Sequence, residues 1–181
     1  LFNNGFATAI GDGAAFFSAA HPTISAGNQS NLAAAADLSE ATLETILTNI
    51  QKITDDRGIL IGASAVSLHI PVDSWAIADR VLSSPGNTQT SAAAANPNNN
   101  AINATRHLGM LPDGYYINRR FTDTDAYFVK TDVPNGAKMF NRTPLQTKME
   151  PDFDTGNLRF KARERYSFGV SDWRGYFGSA G

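Results

Sequence analysis

The sequence predicts an α+β protein. Three observations carry this. Leu43, Ile46, Leu47, Ile50 and Ile53 recur at helical spacing in "LSEATLETILTNIQKIT". From Leu158 to Phe168, "LRFKARERYSF" alternates residue by residue, the period of a strand. The strand-like segments also gather in the second half of the chain instead of alternating with helices.

Residues 1–37 are rich in Gly, Ala, Ser and Asn and read as loop. Phe16 and Phe17 need burial there, yet no partner is visible nearby in sequence. Helix signals begin at Ser39, a good N-cap, followed by Glu40 at the positive end of the dipole. Leu38 and Leu43 fit a hydrophobic staple. "AVSLHIP" follows as a strand, with Val66, Leu68 and Ile70 on one side, Ser67 and His69 on the other, and Pro71 as its stop. "DSWAIADRVLSS" reads as a second helix capped by Asp73. A long polar loop spans 84–104, within a stretch (83–105) that has no charged residue. "GYYIN" and "DAYFVKTD" are aromatic and β-branched. "VPNG" supplies a turn before "AKMFNRT", and "PDFDTGN" another before the strand of residues 157–168.

That strand sets the functional question. One face carries Leu158, Phe160, Ala162, Glu164, Tyr166 and Phe168, which predicts a half-buried strand. The other carries Arg159, Lys161, Arg163 and Arg165, four cations that need a complementary surface. The acids of "TDDRG" or "PDFDTG" offer one, within the chain or from a neighbour. Trp173 and Arg174 read either as a sheet-edge stack, with Arg174 on the ring or paired with Asp172, or as a subunit contact.

Composition bounds the function. The 181 residues are 42% hydrophobic and 18% charged, enough for a packed core. Net charge is −2, unlike a protein built mainly to grip phosphates. Cysteine is absent, which excludes disulfides, thiolate metal sites and cysteine nucleophiles. His21, His69 and His107 show no metal-ligand spacing. The pairs Asp55–Asp56, Asp123–Asp125 and Asp152–Asp154 lie in turn-like sequence. "GDG" at 11–13 lacks the Lys of a phosphate loop, and there is no nucleophile elbow. No catalytic, cofactor or metal residues are assigned, and no apolar run is long enough for a membrane helix. A nucleic-acid-binding domain using strand 159–165 is the alternative reading. Its aromatics lie opposite its cations, which disfavours a stacking platform.

The order of "DGAAFFSAAHP", "LSEATLETILTNIQKI", "LHIPVDSWAIADRVLSS", "NPNNNAIN" and "RERYSFGVSDWRG" resembles the C-terminal portion of major capsid proteins of tailed bacteriophages, the Hong Kong 97-type shell proteins. The resemblance implies a Hong Kong 97-like fold with an axial lobe and part of an elongated peripheral lobe. Residues 1–37 would be the end of a spine helix and a connecting loop. Residues 38–156 would be the axial domain, and 157–181 the return strand and tail, with the N-terminal arm, E-loop and most of the spine helix missing. It implies self-assembly into hexamers and pentamers of an icosahedral shell around double-stranded DNA, formed in the host cytoplasm. Implied partners are further copies, scaffold, portal, decoration or minor capsid proteins, and packaged DNA touched non-specifically. No enzyme activity, cofactor or membrane is implied. Subunit-interface residues would be Arg159, Lys161, Arg163, Arg165, Asp172, Trp173 and Arg174. Asn87, Asn96, Asn98, Asn99 and Asn100 would line a symmetry axis, where a charge would be repeated in every copy and repel itself.

Overall fold

The computed structural model describes residues 1–86 and 102–181. Helix α1 spans Glu40–Gln51. Its start is a capping box: Ser39 N–H donates to Thr42 Oγ1 (2.8 Å), and Thr42 N–H donates to Ser39 Oγ (3.3 Å). Leu38 and Leu43 are both buried, as a staple requires. Leu43, Ile46, Leu47 and Ile50 form the inner face, each contributing about 1.5–3 kcal/mol by burial.

These residues pack on a four-stranded sheet of order β2–β1–β3–β6. Its strands are β1 (Ala65–Ile70), β2 (Tyr115–Ile117), β3 (Tyr127–Thr131) and β6 (Tyr176–Ser179). β2 runs parallel to β1, and the other two pairings are antiparallel. Helix α2 (Trp75–Ser83) adds Ala78 and Val81 to the helix side of the core, where Leu68, Ile70, Tyr127, Val129 and Phe177 meet α1. Asp73 is not the cap of α2. A 3₁₀ turn over Val72–Ser74 follows Pro71 and moves the helix start to Trp75, so Asp73 lies in that turn. The α+β class stands, with few helices on one mixed sheet.

The second sheet face explains why β1 is more buried than its alternation suggests. Ser67 is buried and His69 half-buried, because residues 1–37 cover that side. Desolvation holds the His69 imidazole below its usual pKa, and nearby Lys130 adds to the effect. Phe16 and Phe17 find their partners here. They stack on each other at 4.3 Å between centroids, and Phe17 stacks on Phe128 of β3 at 4.8 Å. Phe2, Phe6, Phe121 and Tyr176 close the cluster.

Beside it lies a buried polar knot. Asn31 Nδ2 donates to the carbonyls of Phe16, Trp173 and Tyr176, while Asn31 Oδ1 accepts from Ser18 N–H. The fully buried His21 ring has Asp12 Oδ2 at 2.6 Å from Nδ1 and Asn31 Oδ1 at 3.0 Å from Nε2. It stacks on Trp173 at 4.4 Å, with the two rings nearly parallel. The knot ties the N-terminal layer to the end of the chain.

Strands β4 (Ala137–Pro151) and β5 (Leu158–Val170) form a separate two-stranded hairpin. The half-buried strand expected at 157–168 is corrected here. Most residues of both strands are exposed, because among the described residues β5 pairs only with β4 and no layer covers either face. At about 3.3 Å per residue, 13 residues of β5 extend roughly 43 Å. At the root the two ends of the hairpin are joined: Asp172 N–H donates to Asn135 O (2.9 Å) and Ser171 N–H to Gly136 O (3.3 Å). Gly136 and Gly175 cross so closely that a Cβ on Gly175 would lie 2.6 Å from the Gly136 Cα. Gly175→Ala is therefore expected to cost about 1–3 kcal/mol, because backbone rather than a side chain must yield. Thermal melting checks this; an unchanged Tm would show that the crossing has slack.

Candidate assembly surface

The hairpin register sorts its side chains into two faces. Arg159, Lys161, Arg163 and Arg165 lie opposite Glu150, Lys148, Gln146 and Thr143, and Lys138 lies opposite Gly169. These residues share one face, since directly paired residues in a ladder point the same way. Irregularities between Asn141 and Gln146 keep the phase across the middle of β4. Arg159 pairs with Asp152 at 2.5 Å and Lys148 with Glu150 at 2.8 Å. Among the described residues, Lys161, Arg163 and Arg165 make no ion pair, and all three are exposed.

The opposite face is mostly apolar, interrupted by Glu164, Asn141 and Thr147. Leu158, Phe160, Tyr166, Phe168, Met139 and Met149 are each more than half exposed, and Phe153 at the tip is fully so. A lone hairpin of this kind is marginal in water, and a patch this large marks a surface that meets another body.

The other expected interface residues sit at the hairpin root. Trp173 and Arg174 are buried within the chain, which is the sheet-edge stack of the two readings. The guanidinium lies 4.4 Å over the Trp173 ring and donates to Thr54 O (2.9 Å) and Asp56 Oδ1 (2.6 Å). Asp172 lies 3.6 Å from it, accepts from Arg174 N–H, and stays partly exposed. The structure thus gathers Asp172, Trp173 and Arg174 at one place and sets the four cations of β5 farther out. Asn87, Asn96, Asn98, Asn99 and Asn100 lie outside the described residues. The ends of their loop are pinned together: Gly86 bridges Ile102, and Asn103 N–H donates to Pro85 O. The buried Asn103 side chain also donates to Val81 O and caps the short helix α3 (Ala104–His107). Residue 104 therefore belongs to a helix and not to the loop.

The carboxylate pairs serve turns. Asp55 Oδ1 accepts from Arg57 N–H and Ile59 N–H, and these backbone bonds, Ile59 first, hold the carboxyl below its ordinary pKa. Asp123 and Asp125 hydrogen-bond each other, which lowers the pKa of the first and raises that of the second. Asp152 accepts from Thr155 Oγ1 in the hairpin turn.

Sequence reasoning missed two contributors. Met139 and Met149 of β4 complete the apolar face, and the period-2 signal there is broken by the irregularities near residue 143. Asn31 and His21 hold the root region from 140 residues away, a distance no local pattern encodes.

The two-faced hairpin has the form of a contact surface between protein bodies. No curated protein matches the chain. A family model described as phage capsid protein matches residues 1–177, nearly the whole length, so the chain belongs to the phage capsid protein family and is a structural capsid protein.

Proposed function

We propose that this chain is the major capsid (head) protein of a Hong Kong 97-like shell, self-assembling into hexamers and pentamers around double-stranded DNA. The observation that carries the reading is the hairpin, which exposes an apolar face of six large side chains and anchors only at its root. A shell subunit covers such a face by association. The helix–sheet sandwich is the axial lobe in this reading, and residues 137–170 form part of the peripheral lobe as one unit. A boundary at 156/157 would cut the hairpin at its turn. The polar loop, whose ends are pinned at 85–86 and 102–103, reaches the five- or six-fold axis. Assembly takes place in the host cytoplasm, with scaffold, portal and decoration proteins as further partners and DNA as a non-specific one.

Electron microscopy of purified protein tests this reading. Shells, tubes or five- and six-fold capsomers are the expected result. A protein that stays monomeric at every concentration, including with scaffold present, contradicts it. Nucleic-acid recognition through strand 159–165 gains little support. The cationic face carries one hairpin aromatic, Phe140, while Phe160, Tyr166 and Phe168 lie on the other side.

A further inference from the structure

Charge is divided unevenly between the two parts of the chain. Residues 137–170 hold seven of the 15 Lys and Arg and four of the 17 Asp and Glu, leaving eight cations against 13 acids elsewhere. The hairpin is therefore positive and the sandwich negative. Attraction between unlike parts of two copies follows from this division, and attraction between like parts does not.

The negative charge is concentrated beside the hairpin root. There a concavity is lined by Asp55, Asp56, Asp132 and Asp172, with Ile61 on its wall and the Arg174 guanidinium at its side. Each carboxylate is oriented through its Oδ1 atom. Asp55 accepts from Arg57 and Ile59 N–H, Asp132 from Ser64 N–H, Asp172 from Arg174 N–H, and Asp56 from the Arg174 side chain. Among the described residues, no hydrogen bond reaches any of the four Oδ2 atoms. Four held carboxylates with free oxygens form a prepared acceptor for cationic side chains.

The donors cannot come from the same hairpin. Arg165 is five residues from the end of β5, roughly 17 Å along an extended strand, and Arg163 and Lys161 lie farther still. The root itself is held by the close Gly136–Gly175 crossing, beyond which β5 extends through these residues.

We propose that Lys161, Arg163 and Arg165 of one copy dock on the concavity formed by Asp55, Asp56, Asp132 and Asp172 of a second copy. The contact is heterologous: donor and acceptor are different surfaces of one chain. Repetition gives a ring where the rotation closes and a filament or tube where it does not. This inference rests on the capsid reading and specifies which surfaces meet.

A complementation experiment tests it. One variant carries Lys161→Glu, Arg163→Glu and Arg165→Glu, all on the exposed hairpin. The other carries Asp56→Lys and Asp132→Lys. Each alone is expected to lower association at least tenfold in sedimentation, with an unchanged circular dichroism spectrum. Mixing the two restores association, because reversed donor then meets reversed acceptor. If the lysine variant misfolds, Asp56→Asn with Asp132→Asn takes its place and is expected to shift wild-type association to lower salt. Normal assembly of the glutamate variant overturns the proposal while leaving the capsid reading intact. So does failure of two folded variants to complement. A glutamate variant that assembles normally but loses binding to duplex DNA overturns it in favour of a polyanion. Absence of any assembly by the wild type removes the capsid reading, and this contact with it.

Discussion

Replacing Asn31 by alanine is expected to destabilise the protein by about 3–5 kcal/mol, the largest single-residue polar effect in the chain. Asn31 is fully buried. Its amide serves the carbonyls of Phe16, Trp173 and Tyr176, and its oxygen serves Ser18 N–H and His21. Alanine takes a partner from each of these groups: the Trp173 carbonyl keeps Tyr176 N–H and His21 keeps Asp12, while the Phe16 carbonyl and Ser18 N–H lose the bond that satisfied them. The cost of an orphaned buried group is about 1–3 kcal/mol, and these two are orphaned together. Asn31→Asp separates this from a packing effect. Aspartate has nearly the same shape but turns an oxygen toward three carbonyl oxygens, so it should not rescue. Chemical denaturation of the three proteins checks the order. A loss below about 1 kcal/mol for alanine would show that the knot is not a cooperative network.

Phe17→Ala is expected to cost about 3–5 kcal/mol, the range for a large buried aromatic. Phe17 is 2% exposed and stacks on Phe16 and Phe128. The strands cannot close on the space it leaves. Gly5 and Gly178 already approach its ring so nearly that a Cβ on either would lie within 3 Å of it. Those glycines pack the backbone against the ring, and alanine at 17 strips that support from both sides. Early proteolytic cleavage within residues 1–37 should accompany the loss of stability, because this ring is a main attachment of the N-terminal layer to the sheet. A stable variant with the same cleavage pattern as wild type would mean that Phe2, Phe6 and Phe16 suffice to hold the layer.

What was legible in the sequence follows from range. Helix α1 was readable because its cap, its staple and its apolar stripe are all local. The turn before β5 and the alternation within it were readable for the same reason. Burial of β5 was misjudged, because alternation reports that two faces differ and not that either is covered. Only pairing partners decide that, and β5 has one strand neighbour. The start of α2 slipped by one residue, since Pro71 permits a 3₁₀ turn as readily as a helix start. The destinations of Phe16, His21 and Asn31 were invisible, because each also meets Trp173 or Tyr176, more than 100 residues away. Of the residues proposed to meet in assembly, the cations were legible from their phase. The acceptor required the fold, which gathers Asp55, Asp56, Asp132 and Asp172 from three distant segments.

The central claim is that residues 137–170 are a contact surface completed by another body. Hydrogen exchange on dissociated and assembled protein measures this directly. A hairpin paired on itself and exposed on both faces should exchange fast in the dissociated state, while β1 and β3 of the sandwich stay protected. Assembly is predicted to slow exchange across 137–151 and 158–170 and to leave β1 and β3 unchanged. Equal exchange of the hairpin in both states would contradict the account.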